Sequence, residues 1–322
     1  FDRWVQLDRF PEKEAPCWRL QRFPPAHIFA VAMSTECGSV KAQLDDHIVE
    51  QELQEMSAEE KKIIDAALDQ LDKEQRENFM QEPLDALLVV RGCANDGRRL
   101  DETVKQMKNI SEWRSKVGYY DLFNKPLEGD ELFHQYWPEY ICGNDKYGHF
   151  VQAIRIEEID ADGLMGMDEA QLIRLQGQKM RAYAVYKRDL AKLSGVQRYK
   201  HTVLLDLRHV TMSMLVGGKK ALLRRILDVN SAYFPETIFK FYLVNAPLVF
   251  RAVWSAVRPW LHPATVAKTS ILGGSKEALR RMEAEGVPAD ALPPWIGGTG
   301  RPVAAFDYVR RLVDLHQGLP PS

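Results

Sequence analysis

The sequence predicts an α/β fold, with a mixed, mostly parallel sheet flanked by helices and a helical lobe before it. Short runs of β-branched and aromatic residues alternate with helix-like segments through the second half of the chain, a pattern that favours parallel strands with helical crossovers. Apolar residues recur at helical spacing between residues 57 and 117. Between residues 231 and 274, two strand-like runs flank a strongly apolar helix.

Residues 1–56 mix aromatic residues, prolines and charges without a period. They are predicted to be an irregular extension that is either a mobile tail or, through residues 1–50, a contact for a protein partner. A helical lobe is expected over residues 57–125. Ser57 and Glu60 have the spacing of a capping box, which predicts a helix to about residue 80. Two further helices are predicted at about 84–93 and 99–117, the last ended by Gly118.

The main domain is predicted to begin with a strand at 150–156, after a turn at Gly143-Asn-Asp and Gly148. Asp168 and Gln171 can cap a long helix that reaches about residue 193. The elements expected after it are a strand at 202–207, a helix at 217–231, strands at 238–244 and 268–272, and short helices after residue 275.

The helix predicted from Pro247 to Leu261 has an unusually wide apolar arc and a narrow polar strip. Such an arc is not stable in open water, so it is either core, the cover of a cavity, or a surface that touches lipid. Its main apolar members are Phe250, Val253, Trp254 and Val257.

Composition excludes several classes of protein. The 322 residues carry a formal net charge of −2 and no compensating basic block, which argues against nucleic-acid binding. The four cysteines have no zinc or disulfide spacing, and common catalytic motifs are not found. We therefore expect neither an enzyme nor a metal site. No apolar run has the length of a membrane span.

Five blocks of sequence are similar, in order, to those of the CRAL-TRIO lipid-transfer family, and they fall between about residues 57 and 301. The most characteristic is YFPETIFKFYLVNAPLVFRAVWSAVRPWLHPATVAKTSILG at 233–273. The others are LLVVRGCANDGRRLDETVKQMKNISEWR, YWPEYICGNDKYGHFVQAIRI, VLLDLRHV and LPPWIGGTG. The resemblance implies a lipid-binding domain at 126–305 with a gated lipid cavity, followed by a C-terminal helix or tail at 306–322.

The resemblance also assigns headgroup residues. Glu236 matches the acidic residue of the family's YxPE motif, and Lys268 matches the lysine of its VxK motif. In the phosphatidylinositol-binding members these two hold the inositol ring; a structural ion pair is the alternative. In the family, an Arg-Lys pair meets the lipid phosphate, and Cys93-Ala94 stands at its place here. This departure weakens the case for phosphatidylinositol, so another lipid is an equal alternative.

The remaining pocket residues follow from the same comparison. Alternation along the strand puts His201 and Val203 on one face, at positions where phospholipid-binding members carry small hydroxyl residues. His201 is a headgroup candidate that could also meet a terpenoid or, with Tyr183 or Tyr186, a haem, or be an ordinary structural histidine. Val203, Tyr183 and Tyr186 are expected in the apolar pocket, together with the gate residues Phe250, Val253, Trp254 and Val257.

We therefore expect a protein that buries one apolar-tailed ligand, such as phosphatidylinositol or another phospholipid, and exchanges it during transient contact with membranes. The alternatives are a non-exchanging adaptor or subunit of a larger assembly, and a binder of a terpenoid or haem. No cofactor is expected beyond a bound lipid. A cytoplasmic, peripheral location is expected, and an organellar one stays open because the chain begins with Phe1 rather than Met.

Overall fold

The computed structural model describes residues 48–82, 84–93, 98–211, 213, 216–248, 250–261 and 263–319. Nearly all of the predicted N-terminal extension therefore lies outside the described residues. Its last part forms a helix, α1, where an irregular segment was expected. Val49 is buried there, and its amide donates to the carbonyl of Gln197 at 2.8 Å. Val49, Leu53 and Met56 recur at helical spacing and pack in the core of the lobe, so the irregular segment should have been predicted to end before residue 49.

The helical lobe begins where the capping box predicted. Ser57 accepts from the Glu60 amide at 3.1 Å, and the Glu60 carboxylate accepts from the Ser57 amide at 2.9 Å. The single helix expected to residue 80 is instead two helices, because Asp72 accepts from the Gln75 amide at 2.8 Å and starts a second one. The helices of this part are α1 Val49–Gln54, α2 Ala58–Leu68, α3 Lys73–Met80, α4 Asp85–Gly92 and α5 Arg99–Val117.

Six strands form one mixed sheet in the order β5-β4-β3-β2-β1-β6. The four strands β2 to β5 run parallel in chain order, whereas β1 is antiparallel to both of its neighbours. The mostly parallel sheet predicted from the alternation of strands and helices is thus confirmed. The strands are β1 Tyr140–Asn144, β2 Phe150–Arg155, β3 His201–Asp206, β4 Ile238–Val244, β5 Thr269–Ile271 and β6 Val303–Ala304.

The turn predicted at Gly143 is wrong, because residues 140–144 form strand β1. A Cβ at position 143 would lie 2.8 Å from the Cα of Ala291, so glycine is required there by close backbone approach and not by a turn. The chain turns later, at Gly148, whose φ is 88°.

The remaining α-helices cover the sheet. Asp168 accepts from the Gln171 amide at 3.0 Å, which confirms the predicted cap of the longest one. They are α6 Asp130–Tyr136, α7 Ala161–Met165, α8 Glu169–Ser194, α9 Gly217–Tyr233, α10 Phe250–Val257, α11 Pro263–Ala267, α12 Ser275–Ala284 and α13 Ala305–His316. In the described part of the chain, none of the helices has both the length and the apolar character needed to cross a bilayer.

The two faces of the sheet have different environments. On one face, Leu204 and Tyr242 are fully buried against Ala278 and Met282 of α12. The opposite face carries His201, Val203 and Leu205, as alternation along β3 predicted, and is covered by α8 and α9 with a cavity between.

Helix α10 is shorter than the predicted span of residues 247–261. It ends at Val257 and continues as a 3₁₀ turn at Arg258–Trp260. Pro259 explains this end, because its ring has no amide hydrogen and clashes with the preceding helical turn.

Candidate functional site

A cavity of about 770 Å³ lies between the sheet and α9. Its walls are mostly apolar, and α9 alone contributes four leucine and isoleucine residues. At one edge the helical lobe closes on it through Cys93 and Lys105, so the lobe and the main domain both contribute to the site. Apolar lining residues include Ile154, Val203, Leu205, Leu222, Leu223, Ile226, Leu227 and Phe241.

Glu236 and Lys268, predicted to lie at the same mouth, are in direct contact in the cavity wall. Lys268 donates through Nζ to Oε2 of Glu236 at 2.8 Å. Lys200, which the sequence did not single out, places its Nζ 3.5 Å from the same oxygen. One carboxylate therefore lies between two ammonium groups, and the cluster has a net positive charge.

Glu236 stands two residues before strand β4 and has a φ of 56°. This left-handed conformation is rare for a residue with a Cβ and costs free energy. It follows Pro235 and aims the carboxylate at Lys268.

The charges of this cluster are shifted by burial and by each other. Burial disfavours the ionised carboxylate, but the hydrogen bond and the charges of Lys268 and Lys200 outweigh it and lower the pKa of Glu236. Burial, with repulsion from Lys268, lowers the pKa of Lys200 to about 8 against the attraction of Glu236. The mouth thus holds Glu236 as an ion at neutral pH.

A second polar group lies in the wall, away from this cluster. Glu139 accepts from Lys179 Nζ at 2.6 Å, from Gln152 Nε2 at 2.6 Å, and from the Tyr183 hydroxyl. Oε1 of Gln152 is 3.1 Å from Nε2 of His201. Glu139, Gln152 and His201 all line the cavity, so the sheet side of the cavity contains a connected polar network.

This network carries no net charge. Burial, aided by the positive charges around it, lowers the pKa of His201 well below its usual value, so the imidazole is neutral. Lys179 is fully buried, which lowers its pKa against the attraction of Glu139, and the two form an ion pair. The ring of Phe150 stacks on His201 at 4.9 Å and fixes its plane.

The predicted gate residues form a layer next to the cavity. Phe250 and Val253 are buried with Leu207, Val210 and Leu243. Trp254 and Val257 pack against this cluster, and so do the cavity-lining residues Leu205, Leu223 and Phe241. Helix α10 therefore covers the residues of the wall from outside, and Leu261 and Thr265, beyond it, reach the cavity itself.

Tyr183 and Tyr186 lie outside the cavity lining, contrary to their expected place in the apolar pocket. Both pack in the cluster of Phe150 and α13, and Tyr186 meets the ring of Tyr308 edge-on at 5.0 Å. The Tyr183 hydroxyl donates to Glu139. The family resemblance suggested the pocket for both tyrosines, but their ring contacts place them in the core between α8, β2 and α13.

Because Cys93-Ala94 replaces the family's Arg-Lys pair, a phospholipid bound here would need another cation for its phosphate. Cys93 lines the cavity, and Ala94 lies outside the described residues. Arg91, a possible replacement, is held elsewhere, because its Nε contacts Glu60 at 2.8 Å and its Nη1 contacts Glu52. Among the described residues of the lobe, Lys105 is the cation that lies in the cavity wall at this edge.

Sequence reasoning missed Lys200, Lys105, Glu139, Gln152, Gln176 and Lys179. For some of them there was a signal. Gln152 is a polar residue inside an apolar strand, and Gln176 and Lys179 stand at helical spacing on the face of α8 that also carries Leu172 and Tyr183. Polar residues at core positions indicate partners or a ligand. Glu139 follows Pro138 in an irregular segment and had no such signal.

A largely apolar cavity, with polar groups at its mouth and along one wall, defines a protein of the lipid-binding and lipid-transfer class. The model of the CRAL/TRIO domain matches residues 134–298, which is about half of the chain. The chain belongs to the CRAL/TRIO domain family.

Known proteins support this assignment. The chain is 27% identical over 237 residues to the SEC14 cytosolic factor of Eremothecium gossypii, covering 70% of this chain and 74% of that protein. It is 26% identical over 238 residues to the Sec14 cytosolic factor of Schizosaccharomyces pombe, covering 72% and 81%. It is 27% identical over 210 residues to the phosphatidylinositol/phosphatidylcholine transfer protein SFH7 of Arabidopsis thaliana, covering 62% and 37%.

Among solved structures, the crystal structure of Sfh5 matches with a TM-score of 0.50 and 15% identity. The match covers 70% of this chain and 83% of that chain. At this identity the likeness concerns the fold, and it agrees with the mixed sheet and helical lobe described above.

Proposed function

We propose that this protein takes one phosphatidylinositol molecule from a membrane, buries its acyl chains in the cavity and releases it at another membrane. The observation that carries the proposal is the Glu236 and Lys268 pair in the wall of an apolar cavity of about 770 Å³. Burial of acyl chains supplies most of the affinity, at about 25 cal/mol per Å² before the costs of binding.

The mouth cluster has the chemistry that an inositol ring needs. A carboxylate accepts from ring hydroxyls, and ammonium groups donate to them. The strained φ of Glu236 supports a ligand role over a purely structural one, because strained residues concentrate at functional sites. The named function of SFH7 as a phosphatidylinositol/phosphatidylcholine transfer protein points the same way.

The lipid phosphate would be met by Lys105. Lys105 is exposed on α5 and lines the same edge of the cavity as Cys93. Its positive charge can replace that of the family's Arg-Lys pair, which is absent at Cys93-Ala94. The net positive charge of the Glu236, Lys200 and Lys268 cluster adds to the attraction for a phosphodiester.

We further propose that α10 is the gate and that exchange occurs during transient contact with a membrane surface, in a cytoplasmic setting and without catalysis. Leu248, just before α10, is 91% exposed, a position from which an apolar side chain can enter a bilayer interface. A protein partner that binds through residues 1–50 remains compatible with this function, and residues 1–47 lie outside the described residues.

The test is direct. The purified protein is loaded from vesicles of mixed phospholipids, re-isolated and extracted, and its lipids are identified by mass spectrometry. Enrichment of phosphatidylinositol over its share in the vesicles, and its delivery to acceptor vesicles, is the expected result. Protein that emerges without lipid, or with lipids in the vesicle proportions, would show that the proposal is wrong.

A further inference from the structure

Lys200 contacts the Glu236 carboxylate from outside the cavity. Its Nζ lies 3.5 Å from Oε2 of Glu236, the same oxygen to which Lys268 donates at 2.8 Å. Glu236 and Lys268 line the cavity, whereas Lys200 is 4% exposed and is not among the described residues that line it. A bound lipid can therefore contact Lys268 and the carboxylate while Lys200 stays behind them.

Strand pairing fixes Lys200 in this place. The amide of His201 donates to the carbonyl of Thr237 at 3.0 Å, so the backbone that follows Lys200 is bound to the backbone that follows Glu236. The Lys200 ammonium also lies over the ring of Tyr199, 5.2 Å from its centre. The position of the ammonium thus comes from the sheet and from a neighbouring ring, and it does not depend on a ligand.

Few other charges act on Lys200. In the part of the chain that the structure describes, Glu236 is the carboxylate within ion-pair distance of its ammonium. Glu52, on α1 of the lobe, attracts Lys200 from further away, and Lys268 repels it. Glu52 already forms an ion pair with Arg91. The charge of Lys200 therefore acts mainly on Glu236.

A bound headgroup makes this second contact necessary. Both lysines contact Oε2, and Oε1 of Glu236 has no hydrogen-bond partner among the described residues, so Oε1 is available to a ring hydroxyl. Once a ring binds, Lys268 must share its hydrogens between the ring and Oε2. The left-handed φ of 56° at Glu236 costs free energy. Lys200 is the contact that continues to hold the carboxylate in this conformation.

We propose that Lys200 is a positioning residue for the headgroup, whose ammonium holds the Glu236 carboxylate ionised and in place while Lys268 donates to the bound ring. The inference rests on the proposed transfer of phosphatidylinositol and adds a determinant of headgroup specificity to it. A phosphocholine group has no hydroxyl that Glu236 could accept from. Transfer of phosphatidylcholine should therefore not depend on Lys200.

The first experiment separates charge from packing at position 200. Lys200→Met keeps most of the apolar stem and removes the ammonium, whereas Lys200→Arg keeps the charge. Initial rates of transfer are measured at pH 7 from vesicles that contain equal amounts of phosphatidylinositol and phosphatidylcholine. We expect Lys200→Met to lower phosphatidylinositol transfer about tenfold, through loss of one charged contact, and to leave phosphatidylcholine transfer unchanged. Lys200→Arg should restore most of the phosphatidylinositol transfer.

Lys187→Met is the matched control. Lys187 is also buried, at 8% exposed, but its Nζ donates to the carbonyl of Tyr199 at 2.6 Å and not to Glu236. This variant should transfer phosphatidylinositol like the wild type. Equal losses in Lys187→Met and Lys200→Met would contradict the proposal, because loss of any buried lysine would then disturb the cavity.

A pH profile gives a readout that packing alone would not produce. Burial, with repulsion from Lys268, lowers the pKa of Lys200 to about 8, so its ammonium is mostly charged at pH 7 and mostly neutral at pH 9. Wild-type phosphatidylinositol transfer should fall about fivefold between these pH values. Lys200→Arg, which stays charged, should show no such fall. Burial lowers the pKa of Lys187 to about 7, so Lys187→Met, which keeps Lys200, should still show the wild-type fall.

Unchanged phosphatidylinositol transfer by Lys200→Met would overturn the proposal, and so would equal losses of both lipids, because Lys200 would then support the cavity as a whole. If Lys200→Met fails to fold by circular dichroism, the pH profiles of the wild type and Lys200→Arg still decide, and identical profiles would count against the proposal. A wild type that transfers phosphatidylinositol independently of Lys200 contradicts this inference alone, whereas one that transfers none contradicts the proposed function as well.

Discussion

Lys268 donates to Glu236 at 2.8 Å across the mouth of the cavity, although 32 residues separate them in the chain. Strands β4 and β5 are parallel neighbours, and both residues precede their strands at the same edge of the sheet. Because Thr269 pairs with Phe241, the long side chain of Lys268 reaches back past the start of β4 to the carboxylate. Removing the lysine changes the site without emptying a core position, since its side chain is 26% exposed and Lys200 stays beside the carboxylate.

Lys268→Ala should therefore abolish phosphatidylinositol transfer between vesicles and leave the protein folded. The loss reflects a missing charged hydrogen-bond partner for the ring, an interaction worth about 1.5–3 kcal/mol. Lys240→Ala is the matched control, because Lys240 also pairs with a glutamate, Glu285 at 3.1 Å, on the other face of the sheet. Unchanged transfer by the Lys268 variant would remove Glu236 and Lys268 from the ligand site.

Lys105→Met should lower phosphatidylinositol transfer roughly tenfold, because it removes the cation proposed for the lipid phosphate while keeping most of the apolar part of the side chain. Lys108→Met, one helical turn along α5, is the control and should transfer normally. The measurement is the initial rate of transfer between vesicles at several salt concentrations. If both variants behave like the wild type, the phosphate must be bound elsewhere.

Helix α10 should open for lipid to enter. With Trp254 kept as the only tryptophan, its half-buried ring should shift its emission to the blue when anionic vesicles are added. Lys220 lies over the ring of Trp260 at 5.7 Å, so cysteines introduced by Lys220→Cys and Trp260→Cys, in a background without the native cysteines, can be joined by a short reducible linker.

The linked protein should lose lipid exchange and recover it on reduction. The same double variant without linker is the control for the substitutions. Full exchange in the linked form, together with no spectral shift of Trp254, would mean that α10 is fixed core and that lipid enters by another route.

Lys187 should make stability depend on pH. It is 8% exposed, and its Nζ donates to the carbonyl of Tyr199 at 2.6 Å. Burial, with repulsion from Arg188, lowers its pKa to about 7 against the attraction of Glu82. Below pH 7 the lysine is charged in both the folded and the unfolded protein, and burying this charge destabilises the folded state. As the pH rises from 7 towards the unfolded pKa of about 10.4, the folded state binds fewer protons than the unfolded state, so stability increases.

Lys187→Met should consequently stabilise the protein by on the order of 1–3 kcal/mol at pH 6.5, and the gain should fade by about pH 9.5. Urea denaturation of both proteins at the two pH values measures the difference. Lys192→Met, an exposed change on the same helix, should show no such trend. A gain that is equal at both pH values would indicate better packing and not the titration of Lys187.

Local patterns were sufficient for many elements of the fold. The caps at Ser57 and Asp168 and the ending of α5 at Gly118 are interactions within a few residues, so a short window contains all of their causes. Alternation along β3 likewise placed His201 and Val203 on the cavity face. The resemblance to the family's YxPE and VxK motifs predicted that Glu236 and Lys268 lie together, and the two side chains are in contact.

Other features depended on residues far apart in the chain. Position 143 is glycine because Ala291 approaches its backbone, and Tyr183 is core and not cavity because it packs with Phe150 and with α13. Neither partner is visible in the local pattern. The sequence by itself thus determined the family and the main elements and predicted the pairing of Glu236 with Lys268, whereas only tertiary packing decided which distant residues meet in the core and around the cavity.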